Sequence, residues 1–349
     1  MALLVGTVDG VFYVERSETT GGWRTAGHSL QGTHVSSLLP LPDRGLLFAG
    51  AHSGGLYVSE DDGRTWTDAS RGIAPEHRHI FSLAAQERAG GPVLWAGTQP
   101  VALYRSDDLG KTWSDVPSVR SVPGSERWNF PAPPHVAHLK HVAFHAREPH
   151  TLYACIEQGA LLKSVDDGTT WRELTGYVSP GDFWYHDAHR IVIARNPAKL
   201  YFTSGEGLYT SADAGETWTQ LTTRHDRLGY PDALFLDPRN ERTLYLAGGG
   251  TSPDAWERRP GGSGNPTILR SIDGGLTWSE WRNGLPELIP GNIEAMSMHR
   301  WPRTASLFAA TTAGDVFVSE ERGQEWEHAI SGLPPISKVG HHKVFAAKA

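Results

Sequence analysis

The sequence predicts an all-β ring of seven four-stranded blades, a seven-bladed β-propeller. Three observations predict it. An octapeptide with fixed internal spacing recurs along the 349 residues. Its tryptophan returns at intervals close to the length of one propeller blade. The composition, with 39 Gly, 23 Pro, 13 Trp and only 20% charged residues, is rich in turns and aromatics and poor in long charged helices. Apolar residues make up 39% of the chain, enough to fill a sizeable core, so a disordered chain is excluded. Glycine has no period of three, which excludes collagen.

The octapeptide is clearest as Ser59-Glu-Asp61-Asp-Gly63-Arg-Thr65-Trp66. The same Ser-x-Asp-x-Gly-x-Thr-Trp returns at Ser106–Trp113, Ser164–Trp171, Ser211–Trp218 and Ser271–Trp278. A decayed copy, Ser319-Glu-Glu321-Arg-Gly323-Gln-Glu325-Trp326, lies near the end, and a more decayed one, Ser17 to Trp23, near the start. The tryptophans 23, 66, 113, 171, 218, 278 and 326 are 43, 47, 58, 47, 60 and 48 residues apart. Length alone suggests two domains; the repeat replaces that with one domain over residues 1–349.

Within a unit each element has its reason. An apolar strand comes first, as in Val142-Ala-Phe144, and a second follows, as in Thr151-Leu-Tyr153-Ala. A short Gly-containing turn leads to a third, Ala160-Leu-Leu162-Lys-Ser164. The octapeptide then turns the chain: its glycine supplies a positive φ and its aspartate bonds nearby backbone N–H groups. The tryptophan opens a fourth, outer strand. The first unit starts in mid-blade, with Leu3–Thr7 as second strand and Val11–Val14 as third. A leftover strand, Lys343-Val-Phe-Ala346, is expected to complete that blade and close the ring.

The octapeptide resembles that of the BNR, or Asp-box, repeat family, over nearly the whole chain. Sialidases, xyloglucanases, sortilin-type receptors and photosystem assembly-factor propellers carry such boxes. The resemblance therefore implies the propeller and says little about activity. Asp-box residues are expected to hold blades together and touch no substrate. The sialidase members need an arginine triad, a tyrosine nucleophile with a glutamate, and an N-terminal Arg-Ile-Pro. Only Leu288-Ile289-Pro290 occurs here, late and without the arginine.

Functional residues are expected on the face opposite the Asp boxes, at the channel mouth. Two insertions land there: residues 114–137, in a linker between blades, and residues 248–266, in place of a short turn. The excess of histidine, 17 in all, concentrates at the same height. Aligning the inner strands puts His34, His79, His138, His186, Tyr230 and Asn292 just before each strand, with Gly340 or His341 in the closing blade. Two positions on stand Ser36, Phe81, Lys140, Ala188, Asp232 and Glu294; three on stand Ser37, Ser82, His141 and His189. Turn residues there add Asp9, His52, Gln99, Glu157 and Glu206.

Neutral imidazoles with one or two carboxylates suit Zn, Mn, Fe, Ni or Cu. The leading expectation is a metal-dependent lyase or hydrolase acting on a small polar or aromatic substrate. His34, His79, His138, His186 and His341 would hold the divalent transition metal. Residues three apart on a regular strand face opposite ways, so His138 and His141 are not expected to share an ion, nor His186 and His189. Asp232, Glu294, Tyr230, His189 and Lys140 are the acid–base candidates. Trp128, Phe130, Trp184, Arg190, Trp256 and Arg258 would wall the substrate pocket. The first alternative is a non-catalytic binding or assembly scaffold. The second is glycan binding or glycoside hydrolysis, with Asp232 and Glu294 as an opposed acid pair.

The net charge of −7, without a long basic run, argues against nucleic acid and anionic membranes as partners. Cys155 is the sole cysteine, so no intrachain disulfide forms. The N-terminus lacks the basic region of a signal peptide, and no apolar run reaches the ~18 residues of a membrane span. The default expectation is a soluble cytoplasmic protein of unassigned oligomeric state.

Overall fold

In a computed structural model, seven antiparallel sheets form a ring, and the helical segments are short. The structure describes residues 2–17, 19–195, 199–256, 263–301, 304–320 and 322–336. Blade 1 holds three described strands, Ala2–Thr7, Gly10–Arg16 and Trp23–Ser29. Blades 2 to 7 each hold four in simple up-and-down order. Their inner strands are Val35–Leu41, His79–Gln86, His138–Phe144, Ala188–Ile193, Tyr230–Asp237 and Ile293–Arg300. The fold is the seven-bladed propeller expected from the repeat. The proposed closing strand, Lys343–Ala346, lies outside the described residues.

Each seam between blades carries its own apolar cluster, seven among the described residues. The seam between blades 7 and 1 packs Leu3, Val5 and Val14 against Phe308, Val316 and Val318, all fully or nearly fully buried. There the Val8 N–H donates to the Pro335 carbonyl at 3.0 Å, and Arg16 meets Glu327 at 3.3 Å. The ring is thus joined at that seam through the described residues. Burial of apolar area on both faces of every sheet is the main stabilising term.

The Asp boxes do as their chemistry suggests. In blade 5, Asp213 Oδ1 accepts from the Thr217 N–H (2.9 Å) and the Ser211 hydroxyl (2.7 Å), and Oδ2 from the Thr217 hydroxyl (2.5 Å). Ser211 Oγ in turn accepts the Gly215 N–H at 2.9 Å. The box needs two successive positive-φ residues, not one: Ala214 at 60° and Gly215 at 95°. In blade 2, Trp66 donates its indole N–H to Ser29 Oγ of blade 1 at 3.0 Å, and in blade 3, Trp113 donates to the Ala69 carbonyl of blade 2 at 3.0 Å. The box tryptophans of blades 4 to 6 instead donate to the carbonyl of their own box glycine, as Trp171 does to Gly168 at 3.1 Å.

One feature of the inner strands was invisible to sequence patterning. Every inner strand from blade 2 to blade 7 has a bulge two residues after its entry position. The skipped residues are Ser36, Phe81, Lys140, His189, Asp232 and Glu294. A bulge sets two residues against one and frees a carbonyl from the ladder. A side chain from the preceding blade can take up the carbonyl just before the bulge. Ser36 Oγ donates to Ile80 O, and His189 Nδ1 to Pro231 O at 2.7 Å.

Candidate functional site

The bulges correct the sequence alignment at blade 5. The residue equivalent to His34, His79 and His138 is Asp187, not His186, and the bulge residue is His189, not Ala188. A one-residue slip moves every side chain to the other face. His186 accordingly sits in the entry loop, where its Nδ1 donates to the Gly159 carbonyl at 2.9 Å and its ring lies tilted against Tyr185 at 3.6 Å.

At the channel mouth the ring of side chains divides into two halves. Blades 2 and 3 supply a ladder of aromatic rings: His34 to His52 at 4.9 Å, His52 to His79 at 5.0 Å, and His52 to Phe81 at 5.5 Å. Phe81 continues the ladder to His138 at 4.0 Å, and Phe130 of the linker insertion covers His138 at 5.2 Å. Burial, then coulombic repulsion from His79 and His138, lower the pKa of His52 to about 4, so the His52 ring is neutral at pH 7.

The other half, from blades 4 to 6, is charged and dry. Lys140 Nζ lies 2.5 Å from Glu157 Oε1 and 3.0 Å from Asp232 Oδ1, with all three side chains buried. Glu157 also meets His138 Nε2. Tyr230 donates its hydroxyl to Asp187 Oδ2 at 2.6 Å, and His189 Nε2 stands 3.3 Å from Asp187 Oδ1. Burial opposes the Lys140 ammonium, but Asp232, Glu157 and Asp187 outweigh it and push its pKa up. Burial and Lys140 likewise oppose protonation of His189, and Asp187 and Asp232 outweigh them, raising its pKa. Burial, with the charge of Asp187, pushes Tyr230 well above the usual phenol range. Lys140 and Tyr230 are therefore donors here and not bases.

Among the described residues, the one group of three or more His, Cys, Asp or Glu whose ligand atoms lie within 4.8 Å of one another is Glu157, Asp187 and His189. His34, His79, His138 and His186 are not brought together in such a group, because one residue per blade spreads them around the mouth and their rings pack at a tilt against neighbouring rings. His341 and Arg258 lie outside the described residues. Of the acid–base candidates, Lys140, His189, Tyr230 and Asp232 converge, while Glu294 is the buried bulge residue of blade 7. Asp187 carried no signal in the sequence except its place in a correctly gapped alignment.

The wall residues scatter. Trp128 packs on the seam of blades 3 and 4, and Arg190 lies 4.7 Å over the Phe235 ring. Trp256 is 3% exposed, bonds Thr251 O at 2.6 Å and abuts Tyr230, so it forms the core of its insertion. The channel cavity beneath the cluster, lined by Ser82, Lys140, His141, His189 and Asp232 among others, is about 20 Å³. That holds about one water. His141 reaches it because the bulge breaks the alternation that the regular-strand expectation assumed.

A larger hollow of about 240 Å³ lies outside the channel on the same face, lined by Asp182, Glu206, Gln220, Arg224 and His225 among others. Glu206 Oε1 accepts the Phe183 and Trp184 N–H groups at 2.9 and 2.7 Å and so fixes that loop. Gln220 Nε2 donates to Glu206 O at 2.9 Å. Phe183 is 71% exposed, edge-on to Trp184 at 4.9 Å.

A family model described as BNR-Asp box repeat matches residues 103–116. A xyloglucanase of Paenibacillus sp is 32% identical over 145 residues, which is 35% of this chain and 13% of that protein. A xyloglucanase of Acetivibrio thermocellus is 25% identical over 193 residues, 48% of this chain and 21% of that one. The chain thus spans a small part of the curated relatives it matches. The crystal structure of an ancestral GH74 enzyme superposes with a TM-score of 0.66 at 15% identity, over 86% of this chain and 39% of that one. The relatives are hydrolases in name, and the repeat and the ring agree with one another: the chain is a seven-bladed β-propeller that carries Asp-box repeats.

Proposed function

We propose that this protein recognises a neutral oligosaccharide on the face of the ring opposite the Asp boxes, in the hollow of blade 5. One observation carries the reading: polar side chains line a hollow of about 240 Å³, and the loop that brings Asp182 to it carries the exposed ring of Phe183, its backbone N–H held by Glu206. A pyranose presents hydroxyls at its edge and an apolar C–H face. It is held by hydrogen-bonding groups around its edge and an aromatic surface beneath it. Glu206 and Gln220 are fixed by hydrogen bonds before any ligand arrives, which lowers the ordering cost of binding. The channel cluster is not the sugar site in this reading, because a cavity of about 20 Å³ excludes a sugar ring. The xyloglucanase relatives support a glycan as the ligand class. They also favour hydrolysis as the second reading, whereas the metal-dependent lyase expectation has no support from them.

Affinity electrophoresis through xyloglucan, mixed-linkage glucan and mannan tests the proposal. At least one polysaccharide should retard the protein, and Phe183→Ala with Gln220→Ala should abolish the retardation without lowering Tm. Unretarded migration in every neutral polysaccharide would overturn it. Release of reducing ends that disappears in Glu206→Gln would shift the reading from binding to hydrolysis.

A further inference from the structure

We propose that Glu157, Asp187 and His189 form a binding site for one divalent transition ion of the Zn(II) or Mn(II) kind. The site is independent of the glycan hollow. It brings together the end of the second strand of blade 4, the entry to blade 5 and the bulge of blade 5.

The hydrogen bonds of His189 define the site. Its Nδ1 lies 2.7 Å from the Pro231 carbonyl, which can only accept, so Nδ1 carries a proton. In the neutral ring the lone pair is then on Nε2. That atom is fully buried, makes no hydrogen bond, and faces Asp187 Oδ1 at 3.3 Å and Glu157 Oε1 at 3.9 Å. Asp187 Oδ1 is likewise buried without a hydrogen bond. A lone pair directed at two carboxylates in a dry place is repulsive unless a metal ion, or a proton on Nε2, stands between them. An imidazole whose other nitrogen donates to a backbone carbonyl has the arrangement that orients metal-ligating histidines. Tyr230 does the same for Asp187 by donating to Oδ2 at 2.6 Å and leaving Oδ1 directed at the site.

The spacing and the charge both fit. Tetrahedral bonds of about 2.0–2.1 Å set ligands about 3.4 Å apart. The Nε2 to Oδ1 distance is 3.3 Å, and Glu157 Oε1 needs to close from 3.9 Å by about half an ångström. Glu157, Asp187 and Asp232 bring three carboxylates against two cations, the Lys140 ammonium and the Arg190 guanidinium that lines the same cavity, so the site is net acidic. A divalent ion beside neutral His189 is attracted to it. The cavity beside Lys140 and His189 has room for one water as a further ligand.

The test uses the untagged full chain, stripped with a chelator and titrated with zinc chloride or manganese chloride by calorimetry. One equivalent should bind, and Tm should rise on loading. Asp187→Asn and His189→Gln should each weaken binding at least tenfold, while His79→Ala and His186→Ala leave it unchanged. Because the two ligand variants can also misfold, X-ray absorption of the zinc-loaded wild type gives a second readout. A shell with one imidazole and otherwise oxygen ligands is expected. No binding at millimolar metal would mean that His189 carries a proton in place of the ion, and the proposal would fall. A shell with two or more imidazoles would overturn it as well, and would place the ion in the His34–His52–His79 ladder.

Discussion

Replacing Lys140 by methionine keeps most of the stem and removes the only lysine charge in the channel cluster. Glu157 and Asp232 then lose the partner that stands 2.5 and 3.0 Å from their oxygens, in a place where Lys140 is 1% exposed and Asp232 3%. Removing one member of a buried ion pair costs about 3–5 kcal/mol, because the remaining charge has no water to return to. An unfolding entropy of about 2.1 cal/mol/K per residue gives roughly 0.7 kcal/mol/K for a chain of this length. Lys140→Met is therefore expected to lower Tm by about 4–7 °C at pH 7. Differential scanning calorimetry with a chelator present measures this without a metal ion substituting for the lost ammonium. Two further results should follow. Protonation relieves carboxylates left without a cation, so the folded state of the variant binds protons more readily than its unfolded state, and the deficit should shrink as pH falls from 7 towards 4. Adding Glu157→Gln and Asp232→Asn should recover part of the loss, since the three groups act as one unit. A Lys140→Met protein that melts within about 1 °C of wild type would refute the view that this cluster is dry and tightly coupled.

Two other outcomes are expected. Asp213→Ala removes the acceptor of the Ser211 hydroxyl and of the Thr217 N–H and hydroxyl, and should cost about 1–2 kcal/mol, read as a Tm drop of about 1–3 °C with oligosaccharide binding unchanged. His52 has a folded pKa of about 4, below that of the unfolded chain, so the unfolded state binds the extra proton first and stability falls as pH drops from about 6.5 to 4. The contribution is on the order of 1–2 kcal/mol once screening at its partly exposed ring is allowed for, and His52→Phe should flatten the slope of Tm against pH over that window.

The ring, its seven units and the place of the Asp boxes were determined by the sequence alone. The reason is physical: the box is a local device, an aspartate bonding N–H groups three and four residues on, and local devices repeat with the chain. The concentration of His34, His79 and His138 at one height was readable for the same reason, as each enters its blade at the same step. What the sequence left open was decided between blades. Six bulges shift the inner strands by one residue, and pattern reading cannot register a residue that opposes nothing. All six bulges fall at the same step, and matching them puts Asp187, not His186, at the entry of blade 5 and His189 at its bulge, while the closed ring lets Lys140 reach two carboxylates that lie 17 and 92 residues away in sequence. The height of the site follows from periodicity. Its membership follows from convergence of strands on an axis, and only the closed ring defines that axis.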